Sequence, residues 1–201
     1  MSGHWGGALL RPCAAGLVFW VAACATSATN TLPQAKRDAL RIDAIELSFA
    51  PDALISWDDG LGEFRSSGKP DTSEARRAFL EQKAMPHIKA ALEAEIPPAF
   101  RGTDPARLRV TVRQLDVPPA IARIIIGGVP FTLKAEVQVI DARTGQTVVD
   151  AADFNGMLGS QGGLIGVAIE QLSPDPIDRV SRTFARALKG WLQTGQALVT
   201  G

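Results

Sequence analysis

Phe131-Thr132-Leu133-Lys134-Ala135-Glu136-Val137-Gln138-Val139-Ile140-Asp141-Ala142-Arg143-Thr144-Gly145 decides the architecture of this chain. Phe131, Leu133, Ala135, Val137 and Val139 alternate with Thr132, Lys134, Glu136 and Gln138. Successive side chains of a strand point to opposite faces, so the alternation reads as a strand with one buried and one wet face. Asp141 to Gly145 closes it as a hairpin turn, with glycine at the position that needs positive φ. Gln146 to Phe154 returns as the next strand. Upstream, Leu108, Val110 and Val112 alternate with Arg109, Thr111 and Arg113, which makes a meander of three strands.

Outward from the meander, Arg41 to Phe49 is β-like with one apolar face, and Pro51 to Pro70 reads as a long loop punctuated by Gly60, Gly62 and Gly68. Asp71-Thr72-Ser73-Glu74 opens a helix, with a capping side chain and an acid at its positive end. Ala75, Ala78, Phe79, Ile88, Leu92 and Ile96 are expected to form its buried stripe. Pro86 falls inside it and predicts a kink or break near Met85. The last helix starts at Asp175 as cap with Pro176 in the first turn, and stops around Thr194-Gly195. Ile177, Val180, Phe184, Leu188, Trp191 and Leu192 share one of its faces. The order β-α-β-β-β-α predicts an α+β fold: an antiparallel sheet of about four strands with two main helices packed on one face.

The amino terminus carries a different message. Arg11 precedes the charge-free stretch Ala14 to Ala23, which closes as Val21-Ala22-Ala23-Cys24. The apolar run is too short for a transmembrane helix, which needs about 20 residues. A positive n-region, a short apolar core and small residues before a cysteine resemble a bacterial lipoprotein signal. That resemblance implies cleavage after residue 23, lipid on Cys24 and membrane attachment through it. Ala25 stands where an aspartate marks inner-membrane retention in such proteins, which implies outer-membrane delivery with the domain facing the periplasm. Cys13 follows Arg11-Pro12 with no apolar segment before it, so it does not compete. The resulting division is a signal over 1–23, a lipidated flexible tether over 24–38, one domain over 39–195 and a tail over 196–201.

The 201 residues carry 21 Lys+Arg against 21 Asp+Glu. Such balance argues against a nucleic-acid partner, which would call for a basic excess or patch. After the signal, Cys24 is the last cysteine and His87 the last histidine, and the chain has no tyrosine. Disulfide, thiol and cysteine-metal chemistry are then out of reach. Trp57-Asp58-Asp59-Gly60-Leu61-Gly62-Glu63 superficially resembles a calcium loop but lacks its alternating oxygen ligands, and reads as a solvated acidic turn. Asp150 and Asp153 sit at odd spacing on one strand, a poor acid/base pair. Ser160 lies among glycines with no histidine to activate it. Catalytic residues, cofactor and metal ligands are therefore none, and a hydrolase using Asp58, Asp59 or Ser160 ranks below the non-catalytic readings.

Two connections are charge-poor. Pro118 to Pro130 holds one charge and includes Ile124, Ile125 and Ile126; Phe154 to Ile169 holds none and includes Leu164 and Ile165. A meander places both at the same end of the sheet, opposite the Asp141 turn. They read equally as buried core and as an apolar edge that meets lipid or a protein partner. The spacings Gly159-x-x-x-Gly163 and Gly162-x-x-x-Gly166 allow close packing but are weak signals.

Ala120-Ile121-Ala122-Arg123-Ile124-Ile125-Ile126-Gly127, followed by a strand ending Val139-Ile140-Asp141-Ala142-Arg143-Thr144-Gly145, resembles uncharacterised proteobacterial envelope lipoprotein families. These have an R-x-I-x-G loop and a D-A-x-T-G hairpin. The resemblance covers about a third of the chain and implies an envelope lipoprotein without assigned activity. The leading expectation is a non-catalytic accessory or scaffold that binds another envelope component through Ile124, Ile125, Ile126, Leu164 and Ile165. The alternative is a module for a small apolar or lipid ligand held between the glycine-rich segment and the sheet. Oligomeric state is open at this point.

Overall fold

The structure, a computed structural model, describes residues 30–119, 130–158 and 175–196. Along them run α1 (Gln34–Ala39), β1 (Leu40–Trp57), α2 (Asp58–Ser66), α3 (Ser73–Glu95), a 3-10 turn (Pro97–Ala99), β2 (Asp104–Val117), β3 (Phe131–Asp141), β4 (Thr147–Leu158) and α4 (Pro176–Thr194). The strands form one sheet in the order β1-β2-β3-β4. The fold is α+β, with α3 packed over β1 and α4 over β3 and β4.

The meander follows the alternation read from the sequence. β2 and β3 pair antiparallel with Val110 opposite Val137, and β3 and β4 with Val139 opposite Val149. Gly145 takes φ +74° at the hairpin, and Asp141 accepts the backbone N–H groups of Arg143 and Thr144. One detail departs from expectation, because β1 pairs with β2 in parallel, Leu47 beside Val110. The cause is the connection. The 23 residues of α3 carry the chain back about 35 Å at 1.5 Å per residue. β2 then starts beside the start of β1 and runs the same way, which a hairpin cannot arrange.

Between Phe49 and the end of α2 the expected long loop is absent. β1 continues to Trp57 across an irregularity between Phe49 and Leu54 that absorbs Pro51. The guanidinium of Arg77 on α3 donates to the carbonyls of Ala50 and Pro51 there. Asp58 and Asp59 then open α2, where acids favour the positive helix end. Leu61 and Phe64 turn toward the core and Phe64 stacks edge-on with Phe79, so the segment is a helix despite its two glycines.

α3 runs unbroken through Pro86. Its buried residues are Leu80, Ala84, Ile88, Ala91 and Leu92. The expected stripe is thus correct from Ile88 onward; before it, Phe79 packs against the core as expected, while Ala78 is exposed and Leu80 and Ala84 take the buried positions. Leu80, Ala84 and Ile88 keep the spacing of four that one helix face demands. In β2 the inward series Ala106, Leu108, Val110, Val112 shifts by one at Arg113 and resumes as Leu115 and Val117. A bulge inserts one residue and so reverses which parity faces the core.

The segment expected as tether is docked from Asn30 onward. The Asn30 N–H donates to the Gly195 carbonyl at 3.2 Å, its side-chain Nδ2 to the Trp191 carbonyl at 3.5 Å, and Oδ1 accepts the Leu32 N–H at 3.0 Å. Arg37 donates to the carbonyls of Gln193 and Leu32. The Gln193 and Gly195 carbonyls at the end of α4 thereby gain partners, while the Trp191 carbonyl already accepts the Gly195 N–H at 2.9 Å.

Candidate functional site

The helices cover one face of the sheet, and the other face is polar and internally paired. Glu46 on β1 bridges Arg107 at 3.1 Å and Arg109 at 2.9 Å on β2. Arg113 bridges Asp52 at 2.8 Å and also pairs with Glu136, whose hydrogen bond raises the arginine above its ordinary value. Such exposed cross-strand pairs are worth little stability each but leave few unpaired charges to recruit a ligand. The parallel edge of β1 is blunted by its irregularity, by Pro51 and by Arg77, features that discourage strand addition.

Attention therefore moves to the ends of the sheet. At one end β2 finishes at Val117, β3 begins at Phe131 opposite Leu158, and Trp57 closes β1. The flanks of both charge-poor connections thus lie together, as a meander requires. His87 Nδ1 of α3 lies 2.7 Å from Asp178 Oδ1 of α4, and Trp57 meets the imidazole edge-on at 6.4 Å between centroids. Arg179 sits over the Phe131 ring at 5.2 Å. The Trp57 indole Nε1 and the Ser181 hydroxyl are buried without a hydrogen-bond partner among the described residues. A shallow groove of about 240 Å³ runs between α3 and α4, lined by His87, Ala90, Ala94 and Arg182.

His87 and Asp178 would be two members of a nucleophilic triad, yet no hydroxyl or thiol hydrogen-bonds to His87 among the described residues. The pair ties α3 to α4. Asp58 and Asp59 are exposed first-turn acids of α2 and do not converge with His87 on a common partner. Among the described residues no three His, Cys, Asp or Glu side chains gather to hold a metal ion.

The opposite end carries the Asp141 hairpin, the start of β1 and β2, and the docked Asn30–Ala39 segment. A mostly apolar cavity of about 160 Å³ lies there, lined by Leu32, Leu40, Ala106 and Val148, with Lys36 and Asp104 at 3.5 Å on its rim. It is remote from the flanks of the glycine-rich connection, where the sequence placed a ligand. Asp141 is held below the usual carboxylate range by the Thr144 and Arg143 backbone N–H groups, so it is spent on the turn.

Cys24, Ile124, Ile125, Ile126, Leu164 and Ile165 all lie outside the described residues, as do Ser160 and the segment 1–23. The residues that sequence reading missed are Asn30 and Arg37. The available signal was Leu32-Pro33 followed by Gln34 to Ala39, a helix start that a flexible tether would not carry.

No family model and no curated protein matches this chain. Solved structures with a likeness include a provisionally assigned lipoprotein of Caulobacter crescentus CB15, 19% identical over 55% of this chain and 81% of that one, TM-score 0.32. A PelC dodecamer from Paraburkholderia phytofirmans is 13% identical over 75% of this chain and 88% of that one, TM-score 0.33. Lipoprotein GNA1162 from Neisseria meningitidis is 18% identical over 66% of this chain and 99% of that one, TM-score 0.23. At these scores none of them bears on what this chain does.

Proposed function

We propose that the chain is a non-catalytic outer-membrane lipoprotein, lipidated on Cys24, that serves as an accessory or scaffold for another envelope component. The observation that carries the anchoring is the run Val21-Ala22-Ala23-Cys24 behind a short, charge-free apolar segment. No helix among the described residues is long and apolar enough to cross a membrane. Attachment to the bilayer then falls to the lipid, and several acyl chains together bind firmly where one binds only marginally.

Partner binding is assigned to the end of the sheet where Phe131 opposes Leu158. The pairing brings the roots of the two charge-poor connections side by side, and Ile124, Ile125, Ile126, Leu164 and Ile165 belong to those connections in sequence. The open sheet face supports this choice by exclusion, because its charges are already paired with one another. Photo-crosslinking in cells from positions 125 and 164 of the full-length lipidated protein tests it. One recurrent protein adduct from both positions supports the scaffold role and identifies its partner. Crosslinks to lipid alone, or none, would refute it.

A further inference from the structure

We infer that the hairpin end of the domain is its membrane-facing surface, which aims the opposite end away from the bilayer toward a partner. The inference rests on lipidation of Cys24 and adds the orientation that lipidation leaves open.

The first premise is the docked amino-terminal segment. Asn30 is 5% exposed, and with Arg37 it holds the chain to the last turn of α4 through the Gly195, Trp191 and Gln193 carbonyls. α4 ends at the hairpin end, because β1 and β2 start there and Lys36 pairs with Asp104 at 3.5 Å. Arg143 of the hairpin reaches the Thr103 carbonyl at 3.1 Å and Asp104 at 3.3 Å. The chain therefore enters the domain at the hairpin end and nowhere else.

The second premise is length. Six peptide units separate Cys24 from Asn30, and a fully extended chain covers at most about 3.6 Å each, or about 22 Å in all. β3 alone has 11 residues and spans about 35 Å at 3.4 Å per residue. A tether of that reach keeps the hairpin end close to the bilayer and excludes an upright domain standing on the far end of the sheet while Asn30 stays docked.

Charge permits the contact. The hairpin end carries Lys36, Arg37, Arg41, Arg101 and Arg143 against Asp38, Asp43, Asp104 and Asp141. With cations in slight excess, an anionic headgroup layer meets no repulsive barrier. The tether sets the orientation and the surface tolerates it.

The test uses full-length lipidated protein in vesicles of phosphatidylethanolamine and phosphatidylglycerol carrying an acceptor dye on the headgroups. A donor dye goes on Thr144→Cys in the hairpin or on Gly62→Cys in α2, where an added side chain meets nothing within 4 Å. With Cys24 lipidated and Cys13 in the cleaved signal, no native thiol competes. Energy transfer from position 144 should exceed that from position 62 by at least about twofold, given a separation of about 35 Å. Inserting about 20 Gly/Ser residues between Ala25 and Asn30 lets the domain tumble. The insertion should abolish the difference while the protein stays on the vesicles. Equal or reversed transfer in the native-length protein, with the acyl mass confirmed on Cys24, overturns the inference and leaves the lipoprotein reading standing. Absence of that mass overturns both.

Discussion

Gly156 on β4 shows how little room the helix layer leaves. A Cβ built there would lie 2.7 Å from the Phe184 Cα and 2.8 Å from its Cβ, so β4 and α4 touch backbone to backbone. Phe184, Phe154 and Trp191 pack around that contact, the first two edge-on at 5.5 Å between centroids. Gly156→Ala must push the helix off the sheet, and overpacking of this kind costs about 1–3 kcal/mol. Chemical denaturation should show that loss, with a fall of several degrees in Tm. Glu95 governs a different property. Lys189 and Arg186 of α4 hydrogen-bond its carboxylate and hold its pKa below the ordinary value. A lowered folded-state pKa contributes stability above the unfolded value, and that stability is lost as pH falls through the folded value. The advantage of the native protein over Glu95→Gln should therefore be full at pH 7 and shrink as pH drops below about 4. Unfolding curves taken across that range read it directly.

At the scale of elements, α3 keeps its course through Pro86 because its buried residues on both sides hold it against β1 and α4. Proline inside a helix still lacks the amide hydrogen that would reach the Gln82 carbonyl, and the residue itself is exposed. Pro86→Ala should raise stability by about 1–3 kcal/mol, since the interior penalty of proline is about 3 kcal/mol and the packing stays intact. A lower Tm would mean that the proline shapes the helix in a way the core requires. β1 poses the opposite case. Pro51 and the irregularity around it looked like the end of a strand, yet Arg77 holds the Ala50 and Pro51 carbonyls and the pairing with β2 resumes at Leu54. Local punctuation was overruled there by a side chain from another element.

For the whole molecule, the proposed anchor on Cys24, together with the docked segment, would divide the domain into a membrane end and a partner end. Cys24→Ala should release the protein into the soluble periplasmic fraction, and persistent membrane association would sink the lipid anchor. The meander, the hairpin with Gly145, both ends of α4 and the α+β class were legible in the sequence, because each rests on a local signal: alternation, a turn glycine, a capping aspartate or a helical stripe. The side-by-side roots of the two charge-poor connections followed from the same alternation. Three features were decided only in three dimensions. The parallel placement of β1 depends on α3 being long enough to return the chain to its starting end. The phase reversal at Arg113 is marked in the sequence only by two successive polar residues, Arg113-Gln114, and the pairing with β3 is what makes it a bulge. The docking of Asn30 depends on carbonyls at the end of α4, more than 160 residues away. Local chemistry could be read from neighbours in the chain, whereas these three depend on neighbours that only folding brings together.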